Sequence, residues 1–175
     1  QKRRTAALAG QYLSEKQSGG VRTHMITLDI KNESTVHRII QKKTLLRLLE
    51  CIVTGEGIKD PLEVSVLFCD DAFMTSLNKQ YRNVASTTDV LAFPMDAQIP
   101  SDSVRVLGDI VVSMDVLRTR CKDVREAMRQ ELLLLVCHGM LHLLGYDHDT
   151  PEKRTLMQQK QALYLELPFD TVWHS

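Results

Sequence analysis

Three histidines in the last quarter of the chain have the types and spacing that chemistry needs. His138 and His142 stand four apart, and His148 follows in the run His138-Gly139-Met140-Leu141-His142-Leu143-Leu144-Gly145-Tyr146-Asp147-His148. A spacing of four puts His138 and His142 on one helical face, one turn apart. Gly145 can end that helix and let the chain turn back, so that His148 closes a three-nitrogen metal site. Three protein ligands leave a fourth tetrahedral position for water, which marks a catalytic site rather than a structural one. Nitrogen ligands favour Zn2+ over magnesium or calcium, with nickel, copper and iron as alternatives. A lone histidine in a helix is ordinarily a packing or surface residue, but half of the chain's six histidines fall in this one run.

The elements that must position this cluster can be read from the apolar pattern. A long helix is predicted from about Arg125 to Leu144. Thr150-Pro151-Glu152 then supplies an N-cap, a proline in the first turn and an acidic start for a C-terminal helix. Upstream, Met25 to Ile30 alternates as a half-buried strand, and Glu63–Cys69, Asp89–Phe93 and Val106–Ser113 read as further strands. Val36, Ile39, Ile40, Leu46, Leu49 and Val53 recur at three- and four-residue intervals. They predict an amphipathic helix from Ser34 that closes at Gly55 and Gly57, with Arg38, Lys42 and Arg47 as a basic stripe. Asp70 is a candidate N-cap for a short helix through Gln80, and another helix should follow Ser113.

The expected architecture is α+β, a small mixed four-stranded sheet packed by about five helices, with the metal site at the end of the long helix. Residues 1–24 read as a flexible N-terminal extension or leader, and residues 25–170 as a single metal-dependent hydrolase domain. The chain carries 22 basic and 22 acidic side chains, so it lacks the strong positive field of non-specific nucleic-acid binders, and any RNA contact must be local. Cys51, Cys69, Cys121 and Cys137 form no C-x-x-C pair and read as reduced core thiols. The longest apolar run, Leu132–Cys137, is too short to cross a bilayer, and the start shows no secretory pattern. The expectation is a soluble, cytoplasmic protein with no membrane partner.

The histidine spacing is shared with the metzincin protease pattern H-E-x-x-H-x-x-G-x-x-H, which makes a metalloprotease-like hydrolase one rival reading. That pattern needs glutamate as general base where this chain has Gly139, a residue with no side chain to take a proton. Glu131 lies two turns down the helix, too far to replace it. Phosphodiester cleavage fits better, provided that a nearby cation helps to bear the developing charge.

The run from His138 to His148 resembles the H-G-x-L-H-L-x-G-Y-D-H signature of the YbeY family of bacterial endoribonucleases, and it matches at every specified position. Leu77-Asn78 with Tyr81-Arg82, Thr88-Asp89-Val90-Leu91-Ala92-Phe93-Pro94 and Leu107-Gly108-Asp109-Ile110 agree in order, so the resemblance spans about Met25 to Leu165. It implies an α+β fold and a zinc-dependent, single-strand-specific endoribonuclease that acts in ribosomal RNA maturation and ribosome quality control. Its partners would be single-stranded RNA, ribosomal subunits and ribosomal proteins. It also implies that His138, His142 and His148 hold one zinc ion and that Arg82 is catalytic. A guanidinium suits that role, being always charged and shaped as a fork for phosphate oxygens.

The chain departs from the family pattern at Asn83–Thr87, where a more charged approach is usual, and at Ala92, where serine is usual. Asp147 is a candidate to orient a ligand histidine or the metal water, or else to stabilise the turn, whereas Asp89 and Asp109 read as structural acceptors. A rival from another class is a non-catalytic, zinc-stabilised ribosome assembly factor, which the neutral charge favours and the open three-histidine site opposes.

Overall fold

A computed structural model describes residues 25–95 and 104–173. The expected extension, residues 1–24, lies outside the described residues. Four strands, β1 (Ile26–Asn32), β2 (Leu62–Cys69), β3 (Val90–Pro94) and β4 (Arg105–Ser113), form one sheet in the order β1-β2-β4-β3. The first three in that order run parallel and β3 runs antiparallel to β4 at the edge, so the sheet is mixed. Among the described residues the helices are α1 (Lys42–Gly55), α2 (Asp71–Arg82), α3 (Met114–Arg120), α4 (Arg125–Leu143) and α5 (Pro151–Leu165), followed by a single 3-10 turn at Phe169–Thr171. The α+β class, the mixed sheet and the five helices agree with the sequence-based expectation.

Alternation explains the sheet's two faces. Val64, Val66, Phe68, Ile110 and Val112 join the main core with Leu45, Leu49 and Ile52 of α1 and Leu132, Val136 and Met140 of α4. Cys69, Leu91 and Val111 point the other way and pack with Met74 of α2. The caps expected at Asp70 and Thr150 are present, their side chains accepting from the backbone N–H groups of Phe73 and Lys153, and the helix expected after Ser113 is capped by the Ser113 hydroxyl, which accepts from the Val116 N–H. All four cysteines are free thiols, Cys69 and Cys137 buried and Cys51 and Cys121 half-buried.

One expected element is shorter than its periodicity suggested. Ser34–Gln41 lies outside α1. Asn32 captures the start of this segment: its side-chain oxygen accepts the Ser34 N–H at 3.0 Å and its amide donates to the Val36 carbonyl at 3.0 Å. Further along, Arg125 and Arg129 of α4 donate to the carbonyls of Arg38 and Ile39 at 3.1 and 2.7 Å, which a helix would have used internally. The apolar residues Val36 and Ile39 still pack on the core, so the period recorded burial by an irregular segment. The expected basic stripe is therefore split, because Arg38 lies in the loop and Lys42 and Arg47 lie on the helix.

Two glycines set how closely the elements approach. Gly139 of α4 faces β4, where an added Cβ would stand 2.7 Å from Ile110 Cγ2. Its bareness thus serves helix–sheet packing, and a side chain there would point into the core rather than toward the histidines. Gly108 sits just past a register shift in the β2–β4 ladder at φ +134°, and an added Cβ would run into the Phe93 carbonyl.

Candidate metal centre

His138 and His142 project from the last two turns of α4, and a glycine-terminated cap turns the chain after them. The Gly145 N–H donates to the His142 carbonyl at 2.9 Å and the Tyr146 N–H to the Leu141 carbonyl at 3.0 Å, with Gly145 at φ +91°. This reversal carries His148 back over the helix end. Its ring centre lies 5.0 Å from that of His142 and 5.4 Å from that of His138. One nitrogen from each of the three imidazoles falls within a 4.8 Å span.

The hydrogen bonds of the outer nitrogens determine what the inner ones can do. His142 Nδ1 lies 2.9 Å from the Tyr146 carbonyl oxygen, an obligate acceptor, so Nδ1 carries the proton. His138 Nδ1 lies 3.0 Å from Gln161 Oε1, and the Gln161 amide is already committed as a donor to the Val172 carbonyl at 2.6 Å. His138 therefore also carries its proton on Nδ1. Both Nε2 atoms are left as bare lone pairs, and they face each other at 3.0 Å. Two such lone pairs repel unless a cation lies between them. A tetrahedral ion with bonds of about 2.0–2.1 Å would set them about 3.3 Å apart, close to the observed spacing. The donor set and its tautomers thus fit a divalent metal ion.

Electrostatics keep these ligands neutral. Burial depresses the His138 pKa from 6.5 to about 4, and burial also lowers that of His142, aided by the neighbouring His148. An unfolded chain takes up the His138 proton near pH 6.5, whereas the folded chain resists it down to about 4. Stability of the metal-free protein should therefore be flat above about pH 6.5 and fall, by up to about 3 kcal/mol, as the pH drops toward 4. Urea denaturation midpoints of chelator-treated protein across that range would check this, and a constant midpoint would refute it.

The neighbouring Cys137 is fully buried, and desolvation pushes its thiol well up, so it supplies no thiolate to this site. Arg82 is the last residue of α2, exposed, and it has no ion-pair partner among the described residues. Its charge is close enough to contribute to the lowering of the His142 pKa, which puts it on the histidine side of the molecule. The departing segment after it is held in place: Asn83 takes a left-handed φ of +57°, and the Asn78 amide donates to the Ser86 carbonyl at 2.8 Å. Asp147 accepts the His148 backbone N–H at 2.7 Å, so its carboxylate shapes the turn that carries that histidine. Asp89 accepts the Val90 N–H and pairs with Arg120, which also pairs with Glu131. Asp109 accepts from Ser65.

Several residues at the site were not singled out from the sequence. Gln161 is buried against His138, and its signal was a polar residue on the inward row Met157, Gln161, Tyr164 of α5. Trp173 stands beside the cluster, 5.2 Å from the His148 ring and 5.6 Å from the His138 ring. Together with Asp89, Val90, Leu134, Leu135 and Val172, these two residues line a pocket of about 150 Å³ that opens on His138 and His148. Glu56, just past α1, accepts from Tyr146 Oη at 2.7 Å, from Lys160 Nζ at 2.8 Å and from the Tyr164 hydroxyl. Burial pushes its carboxyl up, but these hydrogen bonds outweigh it and hold Glu56 below its ordinary pKa. Glu56 thereby braces the residue whose carbonyl holds His142.

The mixed sheet, the glycine-capped helix and the three converging imidazoles define an α+β protein with a three-histidine centre able to hold a metal ion. The family model for endoribonuclease YbeY matches residues 28–167. An endoribonuclease YbeY from Pelotomaculum thermopropionicum is 38% identical over 120 residues, covering 67% of this chain and 79% of the relative. One from Desulforamulus reducens is 37% identical over 133 residues, covering 71% and 87%. The solution structure of a Thermotoga maritima protein superposes with a TM-score of 0.55 at 30% identity, covering 80% of this chain and 87% of that one. The chain belongs to the endoribonuclease YbeY family.

Proposed function

We propose that this protein is a zinc-dependent endoribonuclease that cuts single-stranded RNA, with ribosomal RNA precursors as substrate, in the cytoplasm. Its family makes it a hydrolase of the nuclease class with a role in ribosomal RNA processing. The observation that carries the metal reading is the pair of bare Nε2 atoms of His138 and His142, facing each other at 3.0 Å with His148 closing the third side. No helix among the described residues is long and apolar enough to cross a membrane.

His138, His142 and His148 would hold the ion, and the Nδ1 bonds to Gln161 and Tyr146 keep two of the rings aimed at it. A bound zinc ion supplies Lewis-acid polarisation and lowers the pKa of coordinated water toward 7. Arg82 binds a phosphate oxygen of the substrate, and its fork bears charge that grows as the phosphodiester is attacked.

The test is cleavage of an end-labelled RNA by the full chain of measured zinc content, with the same RNA as a perfect duplex alongside. Cleavage of the single strand alone, abolished by a chelator and restored by zinc, is the expected result. Equal cutting of the duplex, or indifference to the chelator, would overturn the reading. Products ending in 2′,3′-cyclic phosphate would identify the 2′-hydroxyl as nucleophile.

A further inference from the structure

We propose that Gln161 is a positioning residue for the metal centre, fixing the tautomer of His138 through Oε1 while Nε2 clamps the Val172–Trp173 segment against the same site. The inference rests on the reading of His138, His142 and His148 as metal ligands. Gln161 is 1% exposed, and both ends of its amide are committed to different parts of the molecule. The oxygen accepts from His138 Nδ1 at 3.0 Å, and the nitrogen donates to the Val172 carbonyl at 2.6 Å. A buried primary amide can do both at once while neutral, since it carries an acceptor and a donor on one planar group.

The two bonds depend on each other. The donor bond to Val172 decides which way the amide faces, and that orientation presents an oxygen, rather than an NH2, to the imidazole. If the amide were reversed, an N–H donor would meet Nδ1, the ring proton would move to Nε2, and the lone pair needed for a metal would be lost. The chain segment after α5 is thus hydrogen-bonded to the metal centre through the Gln161 side chain. It is packed there as well: Val172 is fully buried, Trp173 lies edge-on to the His138 and His148 rings, and the Arg154 guanidinium stands 5.7 Å from the centre of the indole ring. The segment therefore forms one wall of the pocket on which His138 and His148 open.

Two substitutions separate the two bonds. In Gln161→Leu both are lost. In Gln161→Glu the ionised carboxylate, whose presence its infrared band reports, still accepts from His138 Nδ1 but cannot donate to Val172. The experiment measures Zn2+ affinity by competition with a chromophoric chelator and the visible spectrum of the Co2+-substituted protein. It also records the emission of Trp173, the chain's single tryptophan. Wild type, both variants and His142→Ala are compared as full-length chains, with circular dichroism to confirm folding.

Gln161→Leu is expected to bind zinc about 10–100-fold more weakly, the range typical for partners of metal-bound histidines. Gln161→Glu should stay within about threefold of wild type, with an unchanged Co2+ spectrum but a red-shifted Trp173 emission, as the wall loosens while the ligand stays aimed. Wild-type affinity in both variants, or a loss in Gln161→Glu as large as in Gln161→Leu, would overturn the assignment. Should Gln161→Leu fail to fold, Gln161→Glu decides alone: retained affinity with shifted emission supports the proposal, and any other combination overturns it. If wild type binds zinc no better than His142→Ala, the metal reading itself fails, which is a different result from wild-type binding that Gln161 does not influence.

Discussion

His142→Ala is expected to lose bound zinc and to cut RNA at no more than background rate, a loss of about 10³-fold or more. His138 and His148 alone leave a two-nitrogen site, and His142 is the residue whose Nε2 meets His138 Nε2 at 3.0 Å. Removing a partner of a metal-bound histidine typically weakens binding 10–100-fold, so removing a ligand itself should weaken it further. The fold should survive, because His142 is half-buried and its place in α4 is a favourable one for alanine. Zinc content by atomic absorption, thermal denaturation and single-turnover cleavage on the same preparation separate these effects. Undiminished cleavage by a folded, zinc-free His142→Ala protein would sink the metal-dependent mechanism.

Arg82→Ala should lower RNA cleavage about 10²–10³-fold while leaving zinc content and melting temperature unchanged, the loss usual for one preorganised transition-state donor. Arg82 is exposed at the end of α2, has no ion-pair partner among the described residues, and its charge reaches His142. Its removal therefore breaks no internal bond that the fold needs. Arg82→Lys should recover only part of the rate, because an ammonium keeps the charge but loses the planar fork. Cleavage kinetics at saturating metal check this. A rate equal to wild type for Arg82→Ala would remove the arginine from the mechanism, and an equal fall in zinc content would make it part of the metal site instead.

Much of the site was legible because its signals are local. The His138–His142 spacing is a property of any helix, and Gly145 ends that helix through backbone freedom that a side chain would restrict. Asp70, Ser113 and Thr150 cap helices with bonds that span three residues. The strand pattern was equally plain, since inward positions such as Val64, Val66 and Phe68 alternate with more exposed neighbours.

Where the reading faltered, a distant partner decided the matter. Ser34–Gln41 has a helical apolar period, yet it is not helical, because Arg125 and Arg129 claim its carbonyls from far along the chain. Gly139 read as a missing general base, but its contact with Ile110 shows a position that faces the sheet. The sequence by itself determined that three imidazoles would gather at one helix end. Only the tertiary structure decided which nitrogen of His138 and His142 carries the proton, and that Trp173 and Gln161 wall and aim the site. The reason is physical: capping and periodicity act between residues a few bonds apart, whereas a tautomer is set by whichever acceptor the packing of α4 against α5 and the final segment brings to the ring.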